Sequence, residues 1–167
     1  ASGANGAVRP EHLPARIEEP LIQQLEIPLD TVAAAVGRAT GFVCLNLAPA
    51  TAMPEAVLRR ADLLVVNDLE AAFYGAPLTG APGLVAITHG ARGASLYRGG
   101  VLVCEAAPPL VTAIDTTGCG DTFVGALTVA LLEGMPEDRA LAFACTAGAL
   151  AATKAGAQTS LPSRAEV

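Results

Sequence analysis

The sequence contains no tryptophan, and aromatic residues make up only 4% of its 167 residues. Lysine is almost absent too, because Lys154 is the single one and is followed by Ala155. The phosphate-binding pattern G-x-x-x-x-G-K-[ST] is therefore excluded. Gly118 and Gly120 are followed next by Gly125, so the dinucleotide spacing G-x-G-x-x-G is missing as well. These absences count against a Walker-type NTPase and against a dinucleotide-dependent dehydrogenase.

The charge and the cysteine pattern exclude further classes. The net charge is −6, whereas a nucleic-acid partner requires a basic surface. The four cysteines form no C-x-x-C pair, which predicts neither a zinc site nor a disulfide framework. No apolar run reaches the ~18 residues of a membrane span. We therefore expect a soluble, cytoplasmic protein with reduced thiols and with neither nucleic acid nor membrane as a partner.

The chain alternates short apolar segments with segments of helical period, the pattern of an α/β domain with a mostly parallel sheet. A chain of 167 residues is long enough for one domain with a real core. The predicted strands are Leu21–Glu26, Phe42–Asn46, Leu63–Val66, Leu84–Thr88 and a hairpin of Ala94–Arg98 with Val101–Glu105. The predicted helices are Leu29–Thr40, Pro54–Arg60, Asp68–Tyr74, Gly120–Glu133 and Pro136–Ala155. Loops are predicted at Ala1–Arg9, which shows no helical or strand period, at Ala76–Gly83, and as a turn at His89–Gly93.

The run Asp115–Phe123 (DTTGCGDTF) carries most of the chemical information. Glycines let backbone N–H groups converge on an anion, and the helix that begins there adds the positive end of its dipole. Asp121 is a poor phosphate ligand at such a place but a suitable base for an attacking hydroxyl. An ordinary helix start with a favourable acidic first turn is the alternative. The polar Asp115 and Thr116 directly before the glycines favour a phosphoryl-transfer site.

Polar residues also follow the third predicted strand, where Asn67 and Glu70 lie on one face of the next helix. Asn followed three residues later by Glu can simply be a capping box. The same amide and carboxylate at the carboxyl end of a parallel strand are also suited to hydrated Mg²⁺. Both interpretations stay open.

Other candidates follow strand ends, where α/β folds bind ligands. Thr88–Gly93 (THGARG) is either a ligand loop or a simple turn, and by themselves His89 and Arg92 are typical turn residues. Glu26 and Asn46 close the first two predicted strands. Cys119 has no paired base near it in sequence, which favours a small packing residue over a nucleophile.

In this order, these segments resemble the ribokinase-like, or phosphofructokinase-B type, family of carbohydrate kinases. The resemblance runs through nearly the whole chain and is most specific in Asp115–Phe123. It includes Gln24–Pro28, Leu45–Ala50, Asn67–Glu70, Thr88–Gly93 and Gly156–Ser160. Together with Gln24–Pro28, Gly3–Asn5 is most similar to the ribokinase branch. The resemblance implies a three-layer sandwich with helices on both faces of the sheet and an antiparallel hairpin at one side.

The implied activity is transfer of the γ-phosphoryl group of ATP to a sugar hydroxyl, with ribose to ribose 5-phosphate as the first expectation. Asp121 would be the base and would face the sugar with Glu26, while the N–H groups of Gly118, Cys119 and Gly120 would form the anion hole. The resemblance assigns Asn67, Thr88, Gly90, Gly93 and Gly120 to the nucleotide, and Glu70 to Mg²⁺ through water. It also implies a K⁺ loop, largely of backbone oxygens, at Asp115, Thr117, Ala151, Gly156 and Ser160.

Compared with that family, the sequence lacks an N-terminal portion, about a third of a ribokinase. We therefore expect residues 1–167 to form the C-terminal nucleotide-binding and catalytic part, without the sugar-binding and lid portion that often forms a homodimer. A homodimer is the expectation for the intact protein. Two alternatives remain open: an incomplete fragment that binds nucleotide or only folds and associates, and a relative that acts on fructose, a nucleoside or another alcohol.

Overall fold

The computed structural model describes residues 3–167. Its strands are β1 (Leu21–Gln23), β2 (Val43–Asn46), β3 (Leu63–Asn67), β4 (Leu84–Thr88), β5 (Ala94–Arg98) and β6 (Val101–Ala106). Its α-helices are α1 (Leu29–Arg38), α2 (Glu55–Arg60), α3 (Asp68–Tyr74), α4 (Ala76–Thr79), α5 (Cys119–Leu132) and α6 (Glu137–Ala151). Among the described residues, no helix is long and apolar enough to cross a membrane.

The strands form one mixed, mostly parallel sheet in the order β1-β2-β3-β4-β5-β6. β2 runs parallel to both β1 and β3, with Leu21 opposite Val43 and Asn46 opposite Val65. β5 and β6 are hydrogen-bonded neighbours joined only by Gly99-Gly100. A two-residue connection can join only antiparallel strands, so they form a hairpin. The predicted α/β class with a hairpin at one side is confirmed.

The chain divides into two compact units, the first of which comprises the residues up to Ile87 together with Tyr97–Val101. Every second residue along β2 and β3 contributes to its core. Val43, Leu45 and Leu47 lie in the apolar cluster, together with Leu64 and Val66 from the next strand. α1 contributes Val32 and Val36 to the same cluster, at the four-residue spacing of one helix face. The apolar residues of the strands and of α1 thus form one apolar layer, as the sequence pattern predicts.

The second unit comprises Thr88–Leu96 and Leu102–Val167 and is built largely from α5 and α6. Gly148 of α6 lies so close to α5 that a Cβ there would come within 3.3 Å of the Cys119 carbonyl oxygen and 3.6 Å of Phe123 Cβ. Leu127 and Leu141 are fully buried. Close packing at the start of α5 therefore depends on a small residue in the facing helix.

Several predicted boundaries are wrong. The predicted loop Ala76–Gly83 begins with the short helix α4, because Gly75 ends α3 and Pro77 is well placed in the first turn of a new helix. β1 stops at Gln23 rather than Glu26, α1 at Arg38 rather than Thr40, and α6 at Ala151 rather than Ala155. Two 3₁₀ turns precede β1: Ala4–Ala7 lies in the predicted loop Ala1–Arg9, and Pro10–His12 follows it. Ala1 and Ser2 of that loop lie outside the described residues.

Candidate active site

The start of α5 has the geometry of an anion site. Gly118 caps the helix with a left-handed φ of 78°, and a Cβ there would lie 3.3 Å from Ala157 Cα. Its carbonyl accepts hydrogen bonds from the Thr122 N–H (2.9 Å) and hydroxyl (2.8 Å). The N–H groups of Gly118 and Gly120 have no acceptor within the described part of the chain. Two amides at a positive helix end are thus available to an anion.

Cys119, the middle residue of the predicted anion hole, differs from its neighbours. Its N–H donates to the Thr116 carbonyl at 3.2 Å, so this amide is already engaged. Burial, and then the charge of Asp115, raise the pKa of its thiol. A protonated, half-buried thiol is a packing group, which agrees with the interpretation that Cys119 is not a nucleophile.

Gly120 has no structural reason to be glycine. Its φ is not positive, and a Cβ built on it meets nothing within 4 Å. Because alanine is favoured over glycine in a helix by up to about 1 kcal/mol, folding alone would favour a side chain here. The open space beside Gly120 is instead suited to a ligand that approaches the backbone closely. Asp121 follows in the first helical turn and is exposed.

Asp115 holds two loops of the second unit together. One carboxylate oxygen accepts the Thr117 N–H at 2.9 Å, and the other accepts the Gly156 N–H at 2.9 Å from 41 residues away. Gly156 N–H first, and then Thr117, lower the pKa of Asp115 from 3.8 to about 2. The N–H groups of Ile114 and Asp115 also donate to the Ala152 carbonyl. The loop before α5 is thereby fixed against the segment that follows α6.

The predicted monovalent-cation residues fall into these two neighbouring segments. Asp115 and Thr117 lie in one, and Ala151, Gly156 and Ser160 lie at the end of α6 and in the loop after it. Ser160 is fully buried, and its hydroxyl donates to the Ala157 carbonyl at 3.0 Å. Of this set, the structure brings Asp115 into direct contact with Thr117 and Gly156.

Replacing Asp115 by asparagine should loosen this loop pair, because an amide offers only one acceptor oxygen to the two N–H donors. We expect a lower melting temperature than wild type at pH 7. The pKa of Asp115 is depressed by folding, so its contribution to stability is present above about pH 4 and is lost as the pH falls toward 2. Thermal melts of both proteins from pH 7 to pH 2 test this, and a difference that stays constant across that range would contradict it.

The predicted nucleotide residues Thr88, Gly90 and Gly93 lie on one tight loop after β4. His89 N–H donates to the Gly93 carbonyl at 2.7 Å, and Gly93 N–H donates to the Gly90 carbonyl at 3.1 Å. Gly93 has a φ of 102°, and a Cβ there would collide with the Ala106 carbonyl oxygen. No atom lies within 4 Å of a Cβ built at Gly90, which is exposed. The loop is rigid at Gly93 and open to a ligand at Gly90.

Asn67 and Glu70 form a capping box at the start of α3, in the first unit. Glu70 N–H donates to Asn67 Oδ1 at 2.9 Å, and Asn67 N–H donates to Glu70 Oε2 at 2.8 Å. The capping interpretation is therefore confirmed. Glu70 is 8% exposed, and its second oxygen, Oε1, has no hydrogen bond among the described residues. Every fully buried side-chain oxygen among the described residues has a hydrogen-bond partner. Because Oε1 of Glu70 has none, it must be accessible to solvent.

Glu26 and Asn46 follow β1 and close β2, also in the first unit. Glu26 is exposed in the loop before α1, three residues beyond the end of its strand. Asn46 is 8% exposed. Because β1, β2 and β3 are parallel, Glu26, Asn46 and Asn67 lie toward the same edge of the sheet.

Comparison with known proteins identifies the family of this chain. A family model described as pfkB family carbohydrate kinase matches residues 16–164. The chain belongs to the pfkB family. It is 36% identical to the ribokinase of Haemophilus influenzae, across 99% of this chain and 61% of that protein. The chain thus spans about three-fifths of the length of this pfkB relative.

Solved structures confirm the predicted ribokinase-like fold. The crystal structure of the Thermotoga maritima ribokinase matches with a TM-score of 0.86 and 30% identity, over 99% of this chain and 62% of that one. The Arabidopsis thaliana ribokinase, solved as a complex with ribose and ATP, matches with a TM-score of 0.77 and 26% identity, over 99% and 62%. The match to these two ribokinase structures covers 99% of this chain.

Two features of the site could not be found from the sequence. Asp115 was predicted as a polar residue before the glycines and as part of a cation loop, but not as the carboxylate that ties its loop to Gly156. Tyr74 was given no role, yet its hydroxyl donates to the Thr51 carbonyl at 2.6 Å and fixes the loop after β2 against α3. Burial raises the pKa of Tyr74. The only local signal was an aromatic residue on the apolar face of a short helix, which usually indicates packing.

Proposed function

We propose that this chain is the nucleotide-binding and catalytic part of a kinase that transfers the γ-phosphoryl group of ATP to a sugar hydroxyl. The observation that carries the proposal is the start of α5. There, two amides without an acceptor among residues 3–167, an open space at Gly120 and an exposed carboxylate on Asp121 coincide. Family membership supports the same reaction class.

The chemistry divides between these groups. The N–H groups of Gly118 and Gly120 stabilise negative charge that develops on the transferring phosphoryl group. Asp121 accepts the proton of the attacking sugar hydroxyl. The loop Thr88–Gly93, in which the Gly90 backbone is exposed, binds the nucleotide. Asn67 is a separate candidate nucleotide residue in the first unit.

The residues at the start of α3 suit a hydrated Mg²⁺. Glu70 keeps one solvent-accessible carboxylate oxygen while its other oxygen caps the helix, and Asn67 adds an amide. Oxygen ligands that bind through water are typical of Mg²⁺ with a nucleotide. When bound, the ion neutralises phosphate charge. In this proposal Glu70 and Asn67 thus have a structural and a binding role together.

Replacing Glu70 by glutamine separates these roles, because the amide oxygen can still accept the Asn67 N–H. We expect a nearly unchanged melting temperature and a Mg²⁺ requirement for nucleotide binding raised by about tenfold. Glu70→Ala should also lose about 1 kcal/mol of stability through the lost cap. Mg²⁺ titrations monitored by calorimetry measure the effect. Glu55→Gln, in the exposed first turn of α2, is the matched control, and an unchanged Mg²⁺ requirement in Glu70→Gln would contradict the binding role.

The loop pair tied by Asp115 suits a monovalent cation such as K⁺, because it carries backbone carbonyls, the hydroxyls of Thr117 and Ser160 and the carboxylate of Asp115, all oxygen ligands for hard cations. Asp115, Thr117, Ala151, Gly156 and Ser160 would hold it. The same segments fix the start of α5, so an ion there would stiffen the anion site.

Ribose is the proposed acceptor, with Glu26 as a sugar contact. The support is the ribokinase identity of the relatives and the ribose and ATP in the Arabidopsis structure. The experiment is to measure ADP formed by this chain with MgATP and K⁺, with and without ribose, and with fructose or a nucleoside as competing acceptors. Ribose-dependent turnover supports the proposal. A higher rate with fructose or a nucleoside would show that ribose is not the preferred acceptor.

A second candidate function is nucleotide binding without turnover. It is favoured by one observation, that the start of α5 and the loop Thr88–Gly93 both lie in the second unit, whereas the proposed sugar contact Glu26 does not. Calorimetry with ADP and ATP separates the candidates: binding without sugar-dependent ADP formation supports the second, while robust turnover excludes it. Absence of nucleotide binding would contradict both.

A further inference from the structure

Within the second unit, three hydrogen-bonded side chains connect the loop Thr88–Gly93 to strands β5 and β6. Ser95 Oγ lies 2.8 Å from His89 Nε2 and donates to Glu105 Oε1 at 3.0 Å. Ser95 is 2% exposed, whereas Glu105 is exposed and His89 half-buried. A buried hydroxyl therefore links a surface carboxylate to a histidine in the proposed nucleotide loop.

The directions of these hydrogen bonds follow from the number of protons. A carboxylate only accepts, so the single Ser95 hydroxyl proton is donated to Glu105. The remaining lone pairs of Ser95 Oγ can then only accept, and the donor must be the Nε2–H of His89. Glu105, through Ser95, thus fixes both the orientation of the imidazole and the nitrogen that carries a proton.

The arrangement does not suit nucleophilic catalysis. In a nucleophilic triad the carboxylate holds the histidine, and the histidine accepts the hydroxyl proton. Here the carboxylate binds the hydroxyl itself, and Ser95 is buried. The three hydrogen-bonded side chains therefore hold His89 in place.

His89 makes most of the hydrogen bonds that fix the conformation of the loop. Its N–H donates to the Gly93 carbonyl and its carbonyl accepts the Arg92 N–H at 3.3 Å, while its side chain reaches Ser95. Gly93 is already held by the close approach of Ala106. The side-chain tie adds a third fixed point, beside the exposed Gly90 backbone. A loop held in one conformation before binding loses less entropy on binding.

We propose that Glu105, Ser95 and His89 position the loop Thr88–Gly93 for nucleotide binding, with His89 and Ser95 as positioning residues. The inference rests on the proposed function, because it assigns the nucleotide to this loop. It adds a structural cause for the affinity: the tie to Ser95 keeps the Gly90 backbone in its binding conformation.

The test compares ADP binding by calorimetry in wild type and four variants of the 167-residue chain. Ser95→Ala removes the central hydroxyl and His89→Leu removes the donor, so each should weaken ADP binding by about 5-fold to 10-fold. His89→Gln restores an N–H donor of similar reach and should bind within about twofold of wild type. Thr146→Ala removes a hydroxyl from α6 that bonds only to its own helix, and should also bind within about twofold.

The outcomes separate this inference from the proposed function. Wild-type binding with loss in Ser95→Ala and His89→Leu and rescue in His89→Gln supports it. Wild-type affinity in folded Ser95→Ala and His89→Leu overturns it, and so does a His89→Gln variant as weak as His89→Leu. If Ser95→Ala does not fold, Glu105→Ala takes its place, since that residue is exposed. If wild type binds no ADP, the nucleotide assignment of the loop fails, and the inference fails with it.

Discussion

Asp121→Asn should lower ribose-dependent ADP formation by about 10²-fold to 10⁴-fold, the range that a general base contributes, while nucleotide affinity stays within about twofold. The reason is geometric. Asp121 lies in the first turn of α5, one residue after Gly120, and is exposed beside the two unengaged amides. An amide keeps the shape of the side chain but cannot take a proton from an attacking hydroxyl. Initial rates with MgATP and ribose, paired with calorimetry, measure both quantities.

Asp138→Asn is the matched control for this change. Asp138 is an exposed carboxylate in the first turn of α6, so its loss perturbs a helix dipole in the same way. Each variant should lose about 0.3–1 kcal/mol of stability. Only Asp121→Asn should lose turnover. Wild-type rates in Asp121→Asn would show that Asp121 is not the base, and equal loss in both variants would point to a general effect on folding.

The second large effect is expected at Gly118 and Gly120. These glycines are close in sequence, but the structural reason for having glycine differs between them. Gly118→Ala should destabilise the fold by about 1–2 kcal/mol, because an L-residue is strained at a φ of 78°. The added Cβ would also press on Ala157 at 3.3 Å. Gly120→Ala should instead stabilise the fold by up to about 1 kcal/mol through helix propensity. Its methyl group would fill the open space at the anion site, so ATP binding and turnover should fall by at least about tenfold.

Gly125→Ala provides the control, since Gly125 lies in the same helix and a Cβ there also meets nothing within 4 Å. It should gain similar stability and keep wild-type activity. Thermal melts and ADP-formation rates of the three variants are compared. A stable Gly120→Ala protein with full activity would contradict the assignment of the open space to the ligand.

The sequence predicted the α/β class, most of the strands and the hairpin, because the signals for these features are local. Apolar runs such as Leu63–Val66 and Leu84–Thr88 are too short for helices, and helical periods separate them. The Gly99-Gly100 pair marked the hairpin. Short-range rules failed where two elements meet, as at α4, because a Pro and Gly pattern fits both a loop and a new helix start.

The sequence also predicted a helix start at the glycine pair of Asp115–Phe123, and the structure confirms that Gly118 caps α5 with Asp121 in its first turn. It predicted both possible roles of Asn67 and Glu70, and the structure confirmed the cap because the two side chains bond each other's backbone. These features depend on residues at most a few positions apart, so a linear pattern is enough to find them.

The tertiary structure alone decided which distant groups meet. Asp115 is tied to Gly156 across 41 residues, and His89 reaches Glu105 only through the buried Ser95 hydroxyl on another strand. It also decided that Gly120 faces open space while Gly118 packs on Ala157. No local propensity encodes such contacts, because closing a long loop costs entropy that only the packing of whole elements repays.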